Sequence, residues 1–255
     1  MYIDEINKVS ESAVVKCELL KKGKGRYLLA SMLAGLYVGL GIMLIYSIGG
    51  ALSSAESPFT KTVMGVSFGV ALSLVIMAGS EIFTGNNFVM TIGYLKKTVS
   101  FLDLIKIWVF SFVGNLIGSI IGGYAFYASG LAKGPVAQFI VHTAEIKMGL
   151  TIHELIVRGI LCNILVCLAT WFTYKMKEET GRLIMIFWCL FAFITSGYEH
   201  SVANMTLFSI SLLIPHTASV SLGGFIYNLS FVALGNIIGG AVVLAIPYYL
   251  ISKEK

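Results

Sequence analysis

The stretch "GYEHSVANM" (Gly197–Met205) decides the fold. It sets a Glu, a His and an Asn between "LIMIFWCLFAFITS" and "MTLFSISLLI", inside a segment long enough to cross a bilayer. A second stretch answers it. "GSEIFTGNN" begins at Gly79, and both read Gly, Glu two residues on, then Asn five residues after the Glu. "GNLIG" from Gly114 likewise returns as "GNIIG" from Gly235. Two matches in the same order, 118 residues apart (79 to 197) and 121 apart (114 to 235), mark an internal duplication.

The surrounding composition names the solvent. The 255 residues are 57% hydrophobic and 12% charged, with a mean hydropathy of +0.86. A soluble domain carries about 25% charged residues. The apolar runs are continuous and lack strand alternation, so the backbone satisfies itself in helices. Six hydrophobic segments begin near Tyr27, Thr62, Ile105, Thr151, Leu183 and Phe225. The connectors fall at Ser53–Lys61, Lys96–Asp103, Ala132–Leu150, Lys175–Arg182 and Ile214–Leu222. This predicts an all-α membrane protein: an N-terminal helix over 1–26, a first repeat of three spans over 27–131, a connector over 132–150, a second repeat over 151–252, and a tail at 253–255.

Three spans per repeat is an odd number, so the two halves enter the membrane from opposite sides. In inverted repeats the substrate path lies at the repeat interface, and interrupted helices in matching positions point to it. Here the interruptions are the Glu-bearing stretches of segments two and five. Gly114, Gly118 and Gly122, Gly235 and Gly239, and Gly35 and Gly39 recur every four residues, a spacing that lets helix backbones approach closely.

The bases are lopsided. Lys8, Lys16, Lys21, Lys22, Lys24, Arg26, Lys96, Lys97, Lys106, Lys175, Lys177, Arg182, Lys253 and Lys255 fall on one side, and Lys61, Lys133, Lys147 and Arg158 on the other. The positive-inside rule then places both termini in the cytoplasm of a multi-pass protein of the cell membrane. This bias accounts for most of the net charge of +5 and leaves no need for a nucleic-acid partner. The N-terminus mixes acids and bases and has no signal-peptide core. Its apolar Ile3, Ile6, Val9, Ala13, Cys17 and Leu20 fit an amphipathic helix at the cytoplasmic interface, or a gate over the inner mouth. The four cysteines form no CxxC pair and predict neither disulfide nor metal site. Nucleotide and zinc-protease fingerprints are missing, which argues against a pump or enzyme and implies no cofactor.

Few polar residues remain to carry chemistry. Glu81 and Glu199 mirror each other, which favours a scaffold role as acceptors for backbone N–H groups freed at the breaks. His200 has no polar mirror: Ile82 stands at its counterpart. Either it is a core histidine satisfied by a neighbour such as Asn204, or it donates hydrogen bonds or protons in a pore. Thr84 at the opposite break offers a hydroxyl to the same permeant. Lys147 is read as a surface partner of Glu145, or as an attractor at an outer vestibule whose low-dielectric walls focus its field on anions. Glu154 and Arg158 form an i,i+4 pair near His153.

"SEIFTGNNF", "RGILCNILVC" and "GYEHSVANM", in this order over essentially the whole chain, resemble the formate/nitrite transporter family, with the hydrosulfide channel branch the nearest match. The resemblance implies an aquaporin-like protomer, a homopentamer with one pore per protomer, and a permeant among small monovalent anions: hydrosulfide first, then formate and nitrite. It assigns His200, Thr84, Glu199, Asn204 and Asn163 to the central pore and Lys147 to anion attraction. Leu72, Ile82 and Phe193 become the cytoplasmic constriction, and Phe68, Phe83 and Val166 the periplasmic one. Ile82 departs from the leucine usual there. The competing class is an aquaporin-like pore for water or small neutral solutes. Against it, the breaks read "GNN" and "ANM" where aquaporins carry Asn-Pro-Ala. A membrane sensor whose histidine reports pH is a third class, and it predicts no flux.

Overall fold

The computed structural model describes residues 1–253; residues 254–255 of the expected tail, including Lys255, lie outside them. All regular structure among the described residues is helical. Among the described residues, six helical spans are long and apolar enough to cross a membrane: Lys24–Ser54, Thr60–Met77, Phe101–Ala128, Ile152–Lys175, Glu179–Ser196 and Leu222–Ser252. They form two inverted three-span repeats. In chain order the helices are α1 (Ile3–Lys22), α2 (Lys24–Ser54), α3 (Thr60–Ser67), α4 (Gly69–Met77), α5 (Phe83–Leu95) and α6 (Phe101–Ala128). The second half continues with α7 (Gly134–Met148), α8 (Ile152–Lys175), α9 (Glu179–Ser196), α10 (Ser201–Ser211), α11 (Leu222–Ile237), a π-helical stretch (Ile238–Ala245) and α12 (Ile246–Ser252).

Local chemistry sets the boundaries. Ser100 and Asp103 form a reciprocal capping box at the start of α6, and Thr151 and Glu154 do so at α8. Segments two and five break where expected. Gly79 and Gly197 both adopt φ 75°, a left-handed turn that a Cβ disfavours. After each turn the chain runs extended and re-enters as a short helix, α5 or α10. Both short helices are buried along almost their whole length.

The same close crossing is used twice. A Cβ at Gly118 of α6 would collide with the Met32 carbonyl of α2, and one at Gly239 would collide with the Ile160 carbonyl of α8. At these points the backbones touch, as the spacing predicts. The halves differ in two places. The last span carries a π-helical stretch whose counterpart in α6 is regular helix. The region 132–150 is no plain connector, because it folds into α7, which carries Lys147. The apolar face of α1 is covered by protein: Ile6, Val9, Ala13 and Cys17 share a core with Phe88, Val89 and Ile92 of α5 and with Leu244 and Ala245.

Candidate functional site

Each broken helix leaves backbone groups without helical partners, and a buried amide side chain takes them up. At the first break, Asn115 Oδ1 accepts from the Phe83 N–H (2.8 Å), while its Nδ2 donates to the carbonyls of Glu81 (2.9 Å) and Ser31 (2.7 Å). At the second, Asn236 Oδ1 accepts from the Ser201 N–H (3.0 Å), and its Nδ2 donates to Glu199 O (3.1 Å) and Gly159 O (2.8 Å). The Glu81 N–H donates to Ala30 O, and the Glu199 N–H to Arg158 O. These asparagines are the second letters of "GNLIG" and "GNIIG". From the sequence, only the glycines of those motifs were given a structural role. The recurrence of an Asn inside two apolar helices was the available signal.

The mirrored acids bind side chains rather than the freed backbone N–H groups expected of them. Glu81 accepts from Lys16 Nζ through both oxygens (2.7 and 2.8 Å), from the Tyr27 hydroxyl (2.9 Å) and from Asn86 Nδ2 (3.1 Å). Glu199 accepts from Lys147 Nζ (2.6 Å) and Asn204 Nδ2 (2.6 Å), and Asn204 also donates to Asn228 Oδ1 (2.9 Å). Lys147 is therefore neither a surface partner of Glu145, which accepts from the Thr217 hydroxyl, nor a lone charge at the mouth. Its side chain is 18% exposed and that of Glu199 2%. Lys16, on α1, is its counterpart and was not singled out from the sequence. Burial lowers the Lys16 pKa, but attraction to Glu81, with help from Tyr174, more than offsets this and raises it above 10.5.

His200 stands between these clusters as the residue just before α10. Its Nδ1 accepts from the Ala203 N–H (3.1 Å), and its Nε2 lies 3.1 Å from Thr84 Oγ1. Since Nδ1 accepts, the ring proton of the neutral imidazole sits on Nε2. The Asn204 side chain is not a partner of the imidazole; its backbone N–H donates to the His200 carbonyl (2.9 Å). Ile82 occupies the equivalent position before α5 with nearly the same backbone (φ −100°, ψ 131° against −115°, 115°) and no side-chain cap. Phe193 stacks on the imidazole (5.8 Å, 19°), and Phe68 meets Phe193 edge-on (5.6 Å, 87°).

Three cavities lie along this line. A vestibule of about 550 Å³ reaches Lys147, Glu199, Asn204, Phe193 and His200. A vestibule of about 300 Å³ on the other side reaches Lys16, Glu81, Asn86, Leu72 and Ile82. Between them a neck of about 10 Å³ is walled by Val38, Phe68, Ala71, Leu72, Ile82, Val166, Leu190, Phe193 and His200. That volume is about the minimum for one water.

Five of the six expected constriction residues, Leu72, Ile82, Phe193, Phe68 and Val166, wall this one neck. Leu72 and Ile82 also face the Lys16 vestibule, and Phe193 also borders the Lys147 vestibule. Phe83 turns aside and packs edge-on against Phe112 of α6 (5.1 Å, 81°). Thr84 is fully buried beside His200. Asn163, expected in the central pore, is not among the residues lining these three cavities; its Nδ2 ties Thr84 O (3.2 Å) and Asn87 Oδ1 (3.1 Å) of α5 to Asn236 O (2.6 Å). It joins the two repeats behind the neck.

Comparison with known proteins agrees with this architecture. The family described as formate/nitrite transporter matches residues 4–250. The nitrite transporter NirC of Salmonella typhimurium is 40% identical over 256 residues, covering 100% of this chain and 94% of that protein. The uncharacterized transporter YwcJ of Bacillus subtilis is 39% identical over the full length of both. Among solved structures, an FNT family ion channel superposes with a TM-score of 0.93 at 39% identity, covering 98% of this chain and 99% of that one. A pentameric formate channel with formate bound gives 0.80 at 27% identity, covering 91% and 98%. The chain is thus a membrane transport protein and not an enzyme, and it belongs to the formate/nitrite transporter family.

Proposed function

We propose that the protein conducts small monovalent anions of weak acids, with nitrite, formate and hydrosulfide as the candidate permeants, through one pore per protomer of a homopentamer. Both termini lie in the cytoplasm in this reading, and the Lys147 vestibule opens outward. The observation that carries it is the donor His200 Nε2–H beside Thr84 in an apolar neck between two lysine-bearing vestibules.

An anion gathers beside Lys147, whose ammonium keeps donors beyond the one given to Glu199. The neck excludes strongly hydrated ions, because stripping their water is costly and nothing in an apolar wall replaces it. The conjugate acid of a weak-acid anion is neutral and crosses cheaply. A neutral imidazole gives a hydrogen bond but no proton. A second proton on Nδ1 would face the Ala203 N–H at the positive end of α10. The proton therefore comes from vestibule water and leaves on the far side with the permeant, while His200 replaces part of its lost hydration.

The test is uptake into liposomes carrying purified protein, comparing nitrite, formate, hydrosulfide, chloride and water. Nitrite, formate or hydrosulfide should enter faster at lower pH, and chloride, the anion of a strong acid, should lag. Fast water passage without anion uptake would overturn the proposal in favour of a neutral-solute pore.

A further inference from the structure

Each vestibule carries a tyrosine that neither break uses. Tyr46 of α2 lines the Lys147 vestibule, and Tyr174 of α8 lines the Lys16 vestibule. They are 128 residues apart (46 to 174), as are Ser31 and Gly159, whose carbonyls brace the two breaks through Asn115 and Asn236. Each tyrosine follows its own bracing carbonyl by fifteen residues (31 to 46, 159 to 174), about 22 Å along a helix. A helix that braces one break thus delivers its tyrosine to the vestibule of the other. Both repeats carry a tyrosine at this position, although the breaks differ, with Ile82 opposite His200.

Their surroundings fit a ligand contact. Tyr46 is 4% exposed and its ring rests on Phe139 of α7 (5.6 Å, 45°), two turns before Lys147 on the same helix. Tyr174 lies close enough to Lys16 to bear on its titration. The electrostatics leave a place for such a donor. The Lys16 and Lys147 ammonium groups are each matched by a carboxylate at 2.6 to 2.7 Å, so neither ion pair by itself holds an anion by net charge. A phenol hydroxyl adds a donor without adding charge.

We propose that Tyr46 and Tyr174 are the second anion contacts of the two vestibules, each hydroxyl donating to a small anion whose other face meets the ammonium of Lys147 or Lys16. The proposal rests on the anion-pore reading above. It makes the vestibules paired stations at which water is exchanged for protein donors before the neck.

The test is the concentration dependence of nitrite and formate uptake in vesicles of assigned protein orientation, measured from each side. In a passive pore the low-concentration permeability is equal in both directions, so only saturation can be side-specific. Tyr46→Phe should raise the half-saturating concentration from the Lys147 side about tenfold, the fold-change for one hydrogen bond to a charged group. It should leave the opposite side unchanged, and Tyr174→Phe should do the reverse. Tyr46→Gln and Tyr174→Gln, which keep a donor, should stay within about threefold of wild type. Unchanged saturation on the variant's own side, an equal change on both sides, or Gln variants as impaired as the Phe variants would each overturn the proposal. A wild-type protein that conducts none of these anions would overturn the pore reading itself, and this inference with it.

Discussion

Asn236 repeats at the second break each hydrogen bond that Asn115 makes at the first: one accepted from the re-entrant helix, one given to the glutamate carbonyl, one given to the bracing helix. Both side chains are fully buried. Replacing either by the near-isosteric Leu strands one N–H and the glutamate carbonyl, at about 1–3 kcal/mol each, while the Ser31 and Gly159 carbonyls keep their helical partners in α2 and α8. Asn115→Leu and Asn236→Leu should therefore each cost at least about 2 kcal/mol. The measurement is unfolding of the detergent-solubilised protein, and an unchanged midpoint would refute the clamp.

His200 combines two jobs that substitution separates. Asn is a good N-cap and keeps an N–H donor, whereas Phe supplies neither. His200→Asn should retain part of the anion uptake with the wild-type pH midpoint. His200→Phe should lose at least about tenfold, for want of a hydrogen bond to the permeant. A midpoint displaced in His200→Asn would show that the imidazole itself delivers the proton.

The Lys147–Glu199 pair is nearly buried, so its halves are interdependent. Lys147→Met leaves the Glu199 carboxylate without its counter-charge and should cost about 3–5 kcal/mol. Adding Glu199→Gln should recover much of that loss. A double-mutant cycle in thermal unfolding reads the coupling, and additive losses would mean the pair contributes nothing as a pair.

Lys16 titrates above its ordinary range, so the stability it confers is complete below its unfolded value near 10.4 and is lost only as pH rises through the higher folded value. On the lysine side of the pair, the docking of α1 on Glu81 should be constant through neutral and mildly alkaline pH. Lys16→Ala should loosen α1 at every pH. Limited proteolysis of α1 measures both, and loosening of the wild type at mildly alkaline pH would contradict the assignment.

Backbone contact makes the glycine positions unequal. Gly118→Ala drives a methyl into the Met32 carbonyl, whereas Gly25→Ala meets open space in the first turn of α2. The former should destabilise by about 1–3 kcal/mol or more, as overpacking does, and the latter should be neutral or mildly stabilising. Comparable unfolding midpoints for the two variants would contradict the close crossing.

Much of this architecture was legible in one dimension. Six apolar runs, two polar interruptions and two repeated motifs specify six spans, an inverted duplication and broken helices two and five, because span length, hydropathy and repetition are properties of the chain alone. The motifs also singled out His200 by its lack of a mirror. The tertiary structure decided what those residues touch. Lys16 meets Glu81 across 65 residues and Lys147 meets Glu199 across 52, and no local pattern encodes such pairings. The side of the neck that Phe193 faces, the turning of Phe83 onto Phe112, and the place of Asn163 behind the pore all depend on the rotation of each helix about its axis. That rotation is set by backbone contacts at glycines and by buried amides between distant helices, which exist only once the two repeats have closed on each other.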